Sequence, residues 1–224
     1  MDGELLSHRP ELRQKLLSIA RRRVIDHPCI VQPDEEGRIS EERLTAGFKG
    51  TKTILELGAG SGEFLSAYCA ELPDHLYTAF EIKWDRIRLI LKVVENKKLL
   101  NVRIVPVDFS WLLESLLPPA FFDTVIVFFP DPWPKRRHWK HRLVQKSFPD
   151  RIKGLLKPNA MLYLATDYGP YARRMLSAFQ RSDFESKLPR PFFSRANPFG
   201  IQTRFESITG ASRKPHFMVF QWKG

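Results

Sequence analysis

Asp131 sits within Phe129-Pro130-Asp131-Pro132-Trp133-Pro134-Lys135-Arg136-Arg137-His138, the stretch of this chain with the densest chemistry. It follows Val125-Ile126-Val127-Phe128-Phe129, an apolar run that reads as a buried strand. A carboxylate, an indole and a run of cations thus emerge together at one strand end. Three prolines fix the backbone around Asp131 and Trp133, which suits a rigid site better than a solvated turn. A carboxylate so held can orient a base or offset developing positive charge. The cations beside it can hold an anionic polymer. Trp133 can stack on an unpaired base or pack beneath the loop.

Three further acids fall at the ends of earlier apolar runs. Glu56 stands just before the glycines of Glu56-Leu57-Gly58-Ala59-Gly60-Ser61-Gly62, while Glu81 and Asp108 close two later runs. Glycines where a strand gives way to a helix permit a tight turn and close approach of backbone to a ligand. A pyrophosphate at that turn would be repelled by Glu56, and the spacing Gly-x-Gly-x-Gly departs from the dinucleotide fingerprint. S-adenosylmethionine has no phosphate and carries an ammonium and a sulfonium, so Glu56 suits it. Glu81 can accept the ribose hydroxyls and Asp108 the adenine amino group. Gly58 and Gly60 bring the backbone to the cofactor.

These acids need a scaffold that gathers strand ends. Strands are expected at Thr53–Leu57, Leu76–Ile82, Val102–Val107, Thr124–Phe129, Met161–Thr166 and His216–Trp222. Helices are expected near 62–72, 84–98, 109–117, 141–156 and 170–181. Alternation of this kind predicts an α/β domain with a mostly parallel sheet and an antiparallel last strand. Ligands in such sheets bind outside the carboxyl ends of the strands, where Glu56, Glu81, Asp108 and Asp131 would converge. Residues 1–48 read as a helix plus an irregular extension, and residues 49–224 as the α/β domain.

Charge narrows the partner. The 224 residues carry a formal net charge of +11. Lys135, Arg136, Arg137, Lys140, Arg142 and Lys146 lie between Pro132 and Pro149 with no acid among them. Arg21-Arg22-Arg23 forms a second cluster. Clustered cations beside a candidate active site are the footprint of a nucleic-acid binder. No apolar run is long enough to span a membrane, and the N-terminus lacks a signal-peptide core. Cys29 and Cys69 have no metal-ligand spacing, and the six histidines are scattered. Reduced thiols in a cytoplasmic protein without structural metal are therefore expected.

Taken together, Glu-Leu-Gly-Ala-Gly-Ser-Gly at 56–62, Phe-Glu-Ile at 80–82 and the Asp-Pro-Trp-Pro-Lys-Arg-Arg-His block resemble the bacterial tRNA (guanine-N7-)-methyltransferases. The resemblance continues through Lys140-His141-Arg142-Leu143, Ala165-Thr166-Asp167, Tyr171-Ala172 and Thr203-Arg204-Phe205-Glu206, covering roughly residues 50–210. It implies a Rossmann-like class I fold with a seven-stranded sheet and helices on both faces. It also implies S-adenosylmethionine at Glu56, Glu81, Asp108 and Asp131, with Asp131 as the active-site acid. Lys135, Asp167, Thr203, Arg204, Phe205 and Glu206 would touch the tRNA, and the target would be a guanine N7, in the variable loop. The chain departs from the family pattern in its short N-terminal region, which lacks an Arg-rich opening, and at Ser207-Ile208, where a cation is common. A nucleic-acid-binding module without catalysis, or a methyltransferase acting on another RNA atom or a small amine, are the alternative readings.

Overall fold

The computed structural model describes residues 26–108, 115–201 and 214–224. Seven strands, β1 (Lys52–Leu57), β2 (His75–Phe80), β3 (Val102–Val105), β4 (Phe122–Phe128), β5 (Leu156–Thr166), β6 (Phe184–Ser186) and β7 (His216–Trp222), form one sheet. Their order is β3-β2-β1-β4-β5-β7-β6. β1 pairs in parallel with both β2 and β4, β2 with β3, and β4 with β5. β7 runs antiparallel to β5 and β6. The chain winds outward from β1 toward β3, then returns to β4 on the other side of β1. This reversal opens a crevice at the carboxyl ends of β1 and its neighbours, the position the sequence reading assigns to the four acids.

Side-chain alternation along the strands builds two cores. Leu55, Leu57, Phe80, Val125, Val127, Leu162 and Leu164 face one side. Ile54, Tyr77, Ala79, Ile126, Phe128 and Ala165 face the other. The second face is covered by α2 (Glu63–Glu71) and α3 (Trp84–Lys97) through Phe64, Leu65, Ile87 and Ile90. The first is covered by α4 (Phe148–Lys153) and α5 (Gly169–Phe179), and it also receives Leu44 from α1 (Glu41–Thr45). α5 presents Tyr171, Ala172, Met175, Ala178 and Phe179 inward, a stripe at helical spacing. Strands buried on both faces explain the near-continuous apolar runs in the sequence.

Three sequence expectations change. The helix expected over 141–156 is confined to Phe148–Lys153, preceded by a 3-10 turn at Arg136–His141. Pro149 lies in the first turn of α4, where its missing N–H is harmless, so the helix begins there rather than running through it. β5 begins at Leu156, five residues before the expected Met161, and a register shift between Phe122 and Thr124 accommodates the extra length. β6 was not expected as a strand, because three residues are too few to show a period of two. The helix expected at 109–117 lies largely outside the described residues, as do Arg21-Arg22-Arg23 and the helix expected at the start of the N-terminal extension.

What is described of the extension guards an edge. Val31 N–H donates to the Ile104 carbonyl, and Ile104 N–H donates to the Cys29 carbonyl. These bonds cover the outer side of β3, which would otherwise expose unpaired backbone. Both cysteines are buried free thiols. No helix among the described residues is long and apolar enough to cross a membrane.

Asn101 fixes the approach to β3. It is buried, and its amide nitrogen donates to the carbonyls of Cys69, Leu72 and His75, at 3.3, 3.1 and 3.0 Å. The end of α2 is thereby tied to the starts of β2 and β3. Asn101→Ala leaves buried carbonyls without that donor and should cost about 1–3 kcal/mol of stability. The expected readout is a lower urea midpoint at unchanged slope, and a midpoint equal to that of the wild type would refute the role.

Candidate active site

The first wall of the crevice is the turn after β1. Gly58 and Gly60 have φ of 89° and 61°, in the left-handed region, and a Cβ added at either would meet no atom within 4 Å. Space is therefore open above both glycines. Gly62 is required for a different reason, since a Cβ there would lie 2.9 Å from Ile90 Cγ1 on α3. The turn is pinned to the end of β2 by Glu81. One carboxylate oxygen accepts from Ile82 and Lys83 N–H at 2.9 and 2.8 Å, and the other accepts from Gly60 N–H at 3.0 Å. Arg86 approaches the second oxygen at 3.5 Å. Glu81 is only 4% exposed, so these donors offset its burial.

Glu56 lies beneath the turn rather than in the crevice. Its carboxyl is 3% exposed and accepts a hydrogen bond from the Tyr77 hydroxyl at 3.0 Å. Burial pushes its pKa up to about 7, and the Tyr77 bond opposes that rise. Glu81 and Glu63 raise it a little further. Burial thus disfavours the charged form of Glu56, on which the match to a cationic ligand relied.

The second wall is the Pro-rich segment after β4. Phe129 N–H still pairs with the Ala165 carbonyl, at 2.9 Å. Its φ of 51° then turns the chain off the sheet, and Trp133 has a φ of 40°. Such conformations cost a non-glycine residue roughly 1–3 kcal/mol each and persist only where the surroundings enforce them. Arg142 provides that enforcement. Its Nε donates to the Pro132 carbonyl at 2.7 Å, and one terminal nitrogen donates to the Trp133 carbonyl at 3.2 Å. Its guanidinium carbon lies 4.8 Å from the Tyr171 ring centroid and 4.9 Å from that of Trp139. The sequence reading placed Arg142 in the basic cluster of a nucleic-acid binder, but at 4% exposure it is a buried strut. Trp133 lies parallel to and offset from His138, with ring centroids 5.6 Å apart, and its half-buried ring lines the crevice.

Between the walls lies a cavity of about 480 Å³. Glu81, Asp108 and Asp131, three of the four acids that the strand-end argument gathers, line it together with Gly58, Trp133 and Lys140. Asp131 is exposed there. Gly60 joins the site through its bond to Glu81. Glu56, Lys135 and Asp167 are not on the cavity wall. Lys135 is exposed at the start of the 3-10 turn, and Asp167 is half-buried just past β5. Thr203, Arg204, Phe205 and Glu206 lie outside the described residues. Sequence reasoning missed Ile82 and Lys83 as wall residues, although both directly follow Glu81.

The raised pKa of Glu56 has a stability consequence. Between its ordinary value of 4.5 and about 7, the folded state holds a proton that the unfolded state has released. Stability must therefore fall as pH rises through this window and level off above it. Glu56→Gln removes the titration and keeps an acceptor for Tyr77. From pH 4.5 to 7.5 the wild type should lose on the order of 2–3 kcal/mol relative to the variant. Denaturant titrations that give parallel stability curves for the two proteins would refute the assignment.

Comparison with known proteins agrees with this geometry. Residues 50–217 match a family model described as "Putative methyltransferase". A tRNA (guanine-N(7)-)-methyltransferase of Leptospira interrogans is 37% identical over 172 residues, which cover 77% of this chain and 79% of that protein. The protein of the same name from Nitrosospira multiformis is 36% identical over 176 residues, covering 75% and 76%. Among solved structures, the 16S rRNA methyltransferase KamB superposes with a TM-score of 0.59 at 14% identity, over 82% of this chain and 92% of that one. A 30S ribosomal A1408 methyltransferase from an uncultured bacterium gives 0.59 at 12% identity, over 83% and 95%. At such identities the two structures speak for the fold alone. The match over most of the chain and the relatives of like length place it in a family: it belongs to the bacterial tRNA (guanine-N7-)-methyltransferases.

Proposed function

We propose that this chain transfers a methyl group from S-adenosylmethionine to N7 of a guanine in tRNA, in the variable loop, acting in the cytoplasm. The observation that carries the reading is the convergence of Gly58, Glu81, Asp108 and Asp131 on one cavity whose outer wall continues into an acid-free run of cations. A volume of about 480 Å³ falls within the range typical of small-molecule sites. The open space above Gly58 and Gly60 fits a ligand that lies against the backbone.

S-adenosylmethionine, when bound, supplies a methyl on a cationic sulfur. Glu81 and Asp108 are the residues that would hold its ribose and adenine. A carboxylate has about four lone-pair sites, and three on Glu81 are taken by backbone N–H groups. The long Arg86 contact is the one that a hydroxyl donor would displace. Glu56 acts from beneath the turn, through its position, rather than by touching the ligand.

Guanine N7 has an in-plane lone pair and no proton, so its reaction needs no general base. The purine gains positive charge as the methyl arrives, and the Asp131 carboxylate favours that gain electrostatically. In-line positioning of the base supplies much of the remaining rate. The exposed Arg136, Arg137 and Lys140 hold phosphates of the RNA, where counterion release gives salt-dependent affinity. Lys135, Asp167 and the segment Thr203–Glu206 are the further contacts that family resemblance assigns to the tRNA.

Incubation of unmodified tRNA with labelled cofactor, followed by nucleoside analysis, tests the reading. Label in 7-methylguanosine is expected, and label in any other nucleoside would replace the proposed target. Asp131→Asn keeps the shape of the side chain and removes its charge. Single-turnover transfer at saturating cofactor and tRNA should slow by roughly 100–1000-fold. Raising the pH should not restore it, because no proton is abstracted. Rescue at high pH would instead identify Asp131 as a base, and a wild-type rate would remove it from the mechanism.

A further inference from the structure

Beyond the crevice, on the far side of Arg142, lies a second cavity that no step of the proposed reaction uses. Trp139, Lys146 and Arg174 line it, and it shares Lys140 and Arg142 with the first. Three guanidinium carbons surround the Trp139 ring, those of Arg174, Arg142 and Arg136 lying 3.9, 4.9 and 6.0 Å from its centroid. The indole N–H donates to the Pro134 carbonyl at 3.3 Å, which holds the ring in place between the two cavities. Among the described residues lining this cavity there is no acid.

Such an arrangement has an electrostatic cost. Each guanidinium gains a little from the ring face, but the cations repel one another. The repulsion is felt, since Arg174 adds to the burial that lowers the pKa of Arg142. Arg174 comes from α5, whereas Arg136 opens the 3-10 turn and Arg142 follows it, so the tertiary fold rather than one charged stretch of sequence assembles the cluster. One nitrogen of the buried Arg142 has no hydrogen-bond partner. A polyanion that placed phosphate among these groups would turn a repulsive cluster into a favourable one.

We propose that this cavity is a second RNA-binding site, in which Arg174 and Lys146 take phosphodiesters of a tRNA segment away from the target guanine. The inference rests on the tRNA reading above and deepens it. One RNA is gripped along the 3-10 turn by Arg136, Arg137 and Lys140, and beyond Trp139 by Lys146 and Arg174. Full-length tRNA spans both sites. A short RNA hairpin carrying only the target guanine spans one.

The test compares the wild type with the Lys146→Gln, Arg174→Gln double variant, using the full chain. Cofactor affinity and thermal unfolding serve as folding controls. With full-length tRNA, affinity should fall by about tenfold or more, and the log–log salt slope should become shallower by about 0.7–0.9 for each phosphate that is no longer neutralised. With the short hairpin, affinity should change by less than about twofold. Arg174→Lys retains the charge and should keep the wild-type slope, which a loss of packing around Trp139 would not predict. Equal tRNA affinity and slope in the wild type and the double variant would overturn the second site. Equal losses on the tRNA and the hairpin would also overturn it, placing both cations at the target. If the wild type itself binds no tRNA and labels none, the tRNA reading falls instead.

Discussion

The Glu81 carboxylate is the joint on which the crevice depends. It binds two pieces of backbone that are distant in sequence, the glycine turn after β1 and the exit of β2 into α3. An ionised acceptor with several amide donors makes stronger bonds than a neutral one, and burial strengthens them further. The same burial would be prohibitive if the donors were missing. Gly62 reinforces the joint by letting α2 rest against Ile90, so the turn has little room to shift. The floor of the site is thus set before any ligand arrives, and binding need not order it.

The opposite wall solves a different problem. A segment with Pro130, Pro132 and Pro134 has three residues without N–H groups, so it cannot anchor itself through a backbone ladder. Its carbonyls must be held by a donor from elsewhere, and Arg142 supplies two such bonds from a bed of Trp139 and Tyr171. Val144 N–H is held in turn by the Tyr171 hydroxyl at 2.9 Å, which couples this wall to α5. The positive φ values at Phe129 and Trp133 bracket Asp131, so strain is concentrated around the residue given the central chemical role.

Much of this was legible in the sequence because it follows from period and from strand ends. β1, β2, β4, α2 and α3 lie within a few residues of expectation, since both faces of the sheet are apolar and the glycine turn marks a boundary. Convergence of Glu81, Asp108 and Asp131 followed from parallel topology alone. What the sequence could not show were properties of partners distant along the chain. Glu56 reads as an ordinary strand-end acid until its burial is seen, which raises its pKa against the opposing bond from Tyr77, twenty-one residues on. Arg142 reads as one more cation in a run, because burial depends on how α5 and the 3-10 turn meet. The same tertiary contact brings Arg174 to Trp139, a juxtaposition with no local signal.

Acids and cations share the crevice, where Lys83, Arg86 and Lys140 stand on the wall with Glu81, Asp108 and Asp131, while Arg136, Arg137 and Arg174 lie off that wall on the 3-10 turn and α5. Arg142 lines both cavities, and it directs its donors to main-chain carbonyls rather than to an acid. On the proposed reading, a pair with Asp131 would have cancelled a charge that favours a cationic purine. A polyanionic substrate creates the opposite hazard, since phosphates drawn into the crevice would be repelled by its acids. On the proposed reading, cations kept off the crevice wall draw the polymer there by long-range forces, so that one small domain would hold a negative backbone and stabilise a positive base within the same encounter.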